Sequence, residues 1–180
     1  AVVHGSPRFI SEFVWPSTAD SELAACFAEL PANIDGVVGG HSGIPFARLV
    51  PAAAQTSGRK RLWLNAGVIG MPANDGTERG WFTVLTPLAD GGLDISIRAL
   101  HYNARKAADE IYSRPSLVRG YADSLLSGIW PSHDVLPVQD QMNTGMELSE
   151  KRVVWPKDSE EDEAQACGSP PALARSLGAP

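Results

Sequence analysis

The chain carries the stretch VVGGHSGIPF at residues 37–46, in which a short apolar run leads through two glycines to a histidine. Two consecutive β-branched residues followed by glycine are typical of a short buried strand. His41 stands where that strand ends and a loop begins. In open α/β sheets ligand sites lie at such strand ends, so the stretch predicts an α/β sheet with a polar site at its edge.

A second histidine occupies the same kind of position near the start of the chain. His4 follows the apolar pair Val2 and Val3 and precedes Gly5. Imidazoles at strand ends suit a borderline divalent metal, and neighbouring glycines let the backbone approach closely. A single histidine at a strand end is more often structural. The pattern alone therefore leaves both a metal site and a structural pair open.

A helix is predicted between the two histidines. The segment TADSE at residues 18–22 is typical of a capped helix start, and Pro31 ends the helix. Strand, helix and strand in this order indicate a βαβ-like unit. The predicted apolar face of the helix consists of Leu23, Cys26, Phe27 and Leu30.

Strand signals dominate after the βαβ-like unit. Alternation in the segment LDISIR at residues 93–98 is typical of a strand with one solvated face, and the region predicts an antiparallel meander. We interpret Asn74-Asp75-Gly76 as a hairpin turn rather than as an acid/base element. Strands are predicted at 46–50, 61–64, 81–86 and 93–100, turns at 55–58 and 90–92, and helices at 103–112 and 117–126.

Composition divides the chain into three parts. Residues 1–115 hold the strand and helix signals, residues 116–156 form a helical and Pro-rich extension with two Trp-Pro pairs, and residues 157–180 contain an acidic run. We expect the extension to dock on the body. We expect the acidic tail to be disordered, because it offers little apolar surface to offset the entropy of ordering it.

The overall composition excludes several classes of protein. A net charge of -6 argues against a nucleic-acid scaffold, and the basic cluster at 59–61 is read as a solvated turn. Cys26 and Cys167 lack CxxC spacing, so neither a disulfide framework nor a cysteine zinc site is predicted. No apolar stretch reaches the roughly 18 residues of a membrane span. These features lead us to expect a cytoplasmic protein without membrane partners, of unspecified oligomeric state.

Three motifs occur in order: HGSP at residues 4–7, VVGGHSGIPF at 37–46 and LNAGVIGMP at 64–72. As a set they resemble the second half of the calcineurin-like metallophosphoesterases, in the bacterial phosphodiesterase-like branch. In that family one strand ends in His-Gly, and a later strand ends in Gly-His-x-His before a Pro-Phe hairpin. An Asn-Pro-Gly-Ser-like turn then precedes the next strand. The resemblance covers residues 1–100.

The resemblance implies a fold, a cofactor and a substrate class. The fold would be the C-terminal part of a four-layer α/β/β/α sandwich, followed by helices and a polar tail. Such enzymes use two divalent metals, about 3.5 to 4 Å apart, to lower the pKa of a water that attacks phosphorus. By resemblance, His4 and His41 would both ligate the second metal. The metal would be Mn, Fe, Zn or Ni, and the substrate a small phosphomonoester or phosphodiester.

The chain departs from the family pattern at two points. The family's Asp-x-His, Gly-Asp-x-x-Asp and Gly-Asn-His motifs belong to its N-terminal half and are not found here, so we interpret the chain as a fragment. Gly43 replaces the second histidine of Gly-His-x-His and cannot ligate through a side chain. A weakly bound first metal, a single metal and a substitute ligand all stay open. We expect the isolated chain to catalyse little and to be marginally stable, self-associating or partly disordered.

Other residues are weaker candidates for a role in function. Asn65 could touch substrate, although a turn-forming asparagine is the commoner explanation. Ser6 and Ser42 each neighbour a histidine, but no oriented acid partner supports a serine hydrolase. For His101 and His133 we expect surface or capping roles. The alternative function is a non-catalytic binding or scaffold module with a degenerate metal site.

Overall fold

A computed structural model describes residues 1–51 and 60–155 of the chain. Over those residues the protein has a mixed α/β fold with two three-stranded sheets, which confirms the predicted α/β class. The turn predicted at 55–58, Arg59, Cys167 and the acidic tail at 157–180 lie outside the described residues. The elements are α1 Asp20–Ala28, β1 Gly36–Gly39, β2 Phe46–Val50, β3 Arg61–Asn65, β4 Gly80–Pro87, β5 Leu93–Leu100, α2 Ala104–Tyr112, α3 Arg119–Ser127, α4 Val138–Gln141 and β6 Lys151–Trp155.

The first sheet has the strand order β1-β3-β2, with β1 parallel and β2 antiparallel to β3. Residues 1–3 run alongside β1, where Val2 forms a parallel bridge with Val38 and the amide of Val3 donates to the Val38 carbonyl at 2.9 Å. This confirms the βαβ-like unit, with α1 as the crossover. Val2 is 85% exposed, so this first strand lies at the edge of the sheet.

The second sheet is antiparallel, in the order β4-β5-β6. The predicted bounds of β5 coincide with the observed ones, and β4 is one residue longer at each end. The sequence did not predict β6, because its five residues begin with two charged side chains and stand within a Pro-rich polar stretch. Trp155 ends β6 and is buried, and its indole Nε1 donates to the Lys60 carbonyl at 2.9 Å.

Side chains on the two faces of β3 pack against different layers, α1 on one side and the second sheet on the other. Trp63 faces α1 and packs in one apolar cluster with Leu23 and Phe27, whose ring meets the Trp63 ring edge-on at 6.0 Å. Leu62 and Leu64 point to the opposite face and pack in a second cluster with residues of β4, β5 and β6. The order is therefore helix, sheet, sheet. A fourth, helical layer stays a prediction.

The two longer helices of the C-terminal part pack against each other. α2 buries Ala104 and Ala108, and α3 buries Ala122 and Leu125. α3 begins two residues later than predicted, because a turn occupies the positions after Pro115. In the described part of the chain, every helix is too short or too polar to span a lipid bilayer.

The segment Asn74-Asp75-Gly76 is not the hairpin turn that its sequence predicts. It lies in the connection from β3 to β4, which belong to different sheets, and both Asn74 and Asp75 are at least 97% buried. The Asn74 side chain accepts from the Trp130 amide at 3.0 Å and donates to Thr144 at 3.1 Å. The turn-forming residues therefore cross-link the body to the C-terminal segment.

Candidate metal centre

His4 and His41 lie side by side at one edge of the first sheet. Their ring centroids are 4.7 Å apart, with the planes tilted by 58°. The parallel pairing of residues 1–3 with β1 brings both strand ends to this edge, as the sequence pattern suggests. The Gly40 amide donates to the His4 carbonyl at 2.9 Å and fixes the two loops together.

The loop that carries His41 is held by a buried serine. The Ser42 hydroxyl donates to the Val14 carbonyl at 2.6 Å and accepts from the Val14 amide at 2.9 Å. His41 itself has a φ of 48°, a left-handed conformation that few residues other than glycine, asparagine and aspartate adopt. Both the donor and the acceptor function of the Ser42 hydroxyl are taken up by the Val14 backbone, so this serine has a structural role.

Phe13 covers one face of the His41 ring. The two ring centroids are 4.4 Å apart at 24°, and Phe13 also stacks with Trp15 at 5.2 Å. His41 is half-buried in this arrangement, whereas His4 is exposed. The stack restricts how the His41 imidazole can turn and shields one of its faces from water. Sequence reasoning missed Phe13, which has no periodic or motif signal to mark it.

An ion-pair network fixes the loop between His4 and Phe13. The Ser6 hydroxyl and the Arg8 guanidinium both donate to the Glu12 carboxylate, and Arg8 also pairs with Glu22 of α1 at 3.0 Å. Burial raises the pKa of Glu12, but the hydrogen bonds from Arg8 and Ser6 outweigh it and hold the pKa below its usual value. The Ser6 hydroxyl therefore bonds the Glu12 carboxylate, which Arg8 also holds, rather than the imidazole of a serine-hydrolase site.

Gly43, the position that departs from the family motif, lies beneath an aromatic ring. Its φ is 77°, and a Cβ placed on it would be 2.9 Å from Cζ2 of Trp130. The indole is anchored there, because Nε1 donates to the Pro72 carbonyl at 2.7 Å. Trp130 therefore occupies the space into which a side chain at position 43 would extend.

Replacing Gly43 by histidine is expected to lower the free energy of unfolding by about 2 kcal/mol without adding a metal ligand. A left-handed residue other than glycine costs about 1–2 kcal/mol, and displacing the indole adds an overpacking penalty. Urea titration and Mn²⁺ binding calorimetry would measure both effects. Gly40→Ala is the control, because its Cβ would lie 3.7 Å from the nearest atom. Tighter Mn²⁺ binding by Gly43→His would contradict the expectation.

Asn65 lies at the same edge of the sheet as the histidines, at the end of β3. It is 2% exposed, and its amide Nδ2 donates to the Ile44 carbonyl at 2.9 Å. Within the described residues its Oδ1 has no hydrogen-bond partner. The side chain therefore holds the start of β2 in place, and contact with substrate stays a prediction.

The two remaining histidines belong to other segments of the chain. His101 is exposed after β5, and His133 is half-buried in the segment after α3. Across residues 1–51 and 60–155, no three side chains from His, Cys, Asp and Glu come together as a metal-binding group. The described chain thus brings together two imidazoles, which are fewer than the four ligands typical of structural zinc sites or the three of catalytic ones.

No protein-family model matches the chain, and no curated protein matches it either. The resemblance to a family therefore stays a prediction from the ordered motifs.

Proposed function

We propose that this chain forms part of a metal-dependent phosphoesterase in which His4 and His41 ligate a divalent metal. The observation that carries the proposal is the placement of the two imidazoles 4.7 Å apart, centroid to centroid, at the strand ends of one sheet. The motifs that contain them occur in the order expected for calcineurin-like enzymes. The substrate would be a small phosphomonoester or phosphodiester.

The chemistry requires groups beyond these two side chains. Two neutral imidazoles supply no charge to balance a divalent ion, and a hydrolytic centre also needs carboxylate or bridging ligands. In the family that the sequence resembles, those ligands belong to motifs that precede the first His-Gly. Mn, Fe, Zn and Ni are all compatible with imidazole, and when bound the metal would activate water and neutralise phosphate charge. The four-layer sandwich belongs to the same proposal.

The test uses the protein together with whatever coding sequence precedes Ala1 in its gene. Metal content and hydrolysis of p-nitrophenyl phosphate and bis-p-nitrophenyl phosphate are measured with Mn²⁺ for the parent, His4→Ala and His41→Ala. Even partners outside the coordination sphere change metal affinity or activity by about 10- to 100-fold. We therefore expect each substitution to lower kcat/KM by at least that factor and to lower metal content.

His101→Ala is the matched control, because it removes an exposed imidazole that follows β5 of the second sheet. It should leave metal content and kcat/KM unchanged. Equal activity in the parent and in both site variants would exclude the proposed ligands.

A second candidate function is a binding or scaffold module that keeps the fold without a working metal centre. The observation that favours it is the indole of Trp130 over Gly43, since it fills the position of a family ligand with an apolar ring. Metal analysis separates the two candidates. Loading with two metals per chain would argue against the scaffold, whereas no bound metal in the longer protein would favour it.

A further inference from the structure

A cavity of about 290 Å³ lies between the start of β2 and the segment that follows α3. Its walls come from residues 44–46, residues 73–75 and the stretch from Asp140 to Lys151. Small-molecule sites typically have volumes of about 300 to 1,000 Å³, so this cavity lies just below that range. It has room for one small organic molecule.

Apolar side chains form a large part of the lining. Ile44, Pro45 and Phe46 contribute from the start of β2 and the loop before it, and Met146 and Leu148 contribute from the C-terminal segment. Phe46 is 7% exposed, whereas Met146 is 59% exposed. The cavity therefore combines a buried aromatic wall with a mouth that is open to solvent.

Asp140 places a nearly buried carboxylate on the same lining. The residue is 4% exposed, and the Ser17 hydroxyl donates to its Oδ2. Among the described residues, Ser17 is the donor to this side chain, and Oδ1 receives no hydrogen bond. Burial of a charged group is costly unless it is paired and hydrogen-bonded. Oδ1 is not among the buried polar atoms that lack a partner, so it reaches solvent and is open to a ligand that donates a hydrogen bond.

The other carboxylates on the lining already have partners. Asp75 is bonded by Arg79 and by its neighbouring backbone, and Glu147 pairs with Arg79 at 3.3 Å. Lys151, also on the lining, is exposed to solvent, so its charge is well screened. Asp140 is thus the buried acidic residue on this lining that pairs with no cation within the described residues.

We propose that this cavity binds a small organic cation, an amine with a compact apolar body, whose N–H group donates to Asp140. The apolar walls accommodate the body and the carboxylate selects the charge. Hydrogen bonds to charged groups are stronger than neutral ones, so the ammonium is preferred over an alcohol of the same shape. This inference is independent of the histidine pair and of phosphoesterase activity.

The experiment uses the 180-residue chain and three probes of similar shape: phenethylamine, 2-phenylethanol and phenylacetate. Calorimetry should show that the amine binds more tightly than the alcohol and that the anion does not bind. In Asp140→Asn the affinity for phenethylamine should fall by about 10-fold or more, as expected for a lost charged hydrogen bond. Asp134→Asn is the matched control, because it removes the same charge at an exposed position nearby and should bind like the parent.

Met146→Trp provides a second variant that leaves the carboxylate intact and obstructs the mouth of the cavity. Loss of phenethylamine binding in this variant, with an unchanged circular dichroism spectrum, would support the site even if Asp140→Asn fails to fold. Failure of the parent to bind phenethylamine, equal binding of the amine and the alcohol, or undiminished binding by both variants would overturn the proposal.

Discussion

Gly128→Ala is expected to lower the free energy of unfolding by about 4 kcal/mol, which few single substitutions do. Gly128 caps the C-terminus of α3 in a left-handed conformation with a φ of 71°, and its amide donates to the Ser124 carbonyl at 2.9 Å. A Cβ on this residue would collide with backbone atoms of Gly76 and Thr77. Backbone cannot rotate aside as a side chain can, so α3 would have to move away from the β3–β4 connection.

The magnitude follows from two separate penalties. A left-handed alanine costs about 1–2 kcal/mol, and overpacking a tight contact costs about 1–3 kcal/mol. Urea denaturation followed by tryptophan fluorescence would measure the sum.

Gly120→Ala is the matched control, since it makes the same chemical change within the same helix. Its Cβ would meet Pro131 at an ordinary 3.5 Å. Alanine is favoured over glycine inside a helix by about 1 kcal/mol, so this variant should be unchanged or more stable. Equal destabilisation by the two substitutions would show that the close approach at Gly128 does not exist.

Asp75→Ala should cost about 3 kcal/mol, near the lower end of the range for breaking a buried ion pair. The Asp75 carboxylate accepts from Arg79 at 3.2 Å, from the amide and hydroxyl of Thr77, and from the Leu148 amide at 3.3 Å. Removing the carboxylate would leave these donors without an acceptor in a buried site, where Asp75 is 2% exposed. Arg79 keeps its bond to the Leu148 carbonyl, which limits the loss.

Asp94→Ala serves as the comparison for Asp75→Ala. Asp94 also pairs with an arginine, at 2.7 Å, but Arg152 is 69% exposed and the pair lies on the outer surface of the second sheet. Hydrogen bonding to Arg152 lowers the pKa of Asp94, yet water screens most of the attraction. Thermal melts should show a clearly smaller decrease in Tm for Asp94→Ala. A decrease as large as that of Asp75→Ala would contradict the assignment of Asp75 as a buried cross-link.

Local sequence was sufficient for elements whose apolar residues recur with a clear period. Periodicity and turn chemistry predicted β2 and β5 with their observed bounds, and α1 with its buried face of Leu23, Cys26 and Phe27. In each of these elements the spacing of the apolar residues matches the period of a strand or a helix. The strand β6 lacks such a pattern. It is held by its pairing with β5 and by the bond from Trp155 to the Lys60 carbonyl, and both partners are far away along the chain.

In the candidate site, too, local sequence placed some residues and missed others. The two histidines could be placed together because parallel strands end at one edge of a sheet, and their rings are indeed adjacent. Phe13 and Trp130 could not be placed, since one comes from a loop and the other from a segment almost ninety residues beyond Gly43. Metal ligation by His4 and His41 stays a prediction.

Pairing of β6 with β5 has a kinetic consequence during synthesis. Fifty residues separate the end of β5 at Leu100 from the start of β6 at Lys151. A ribosome adding about 5 to 20 residues per second needs about 3 to 10 s to cover that distance. Through that interval the edge of β5 that β6 will cover has no strand beside it, and Ile95 and Ile97 lack one of their walls. A nascent chain that stalls here would expose unpaired N–H and C=O groups along β5, to which another chain could pair.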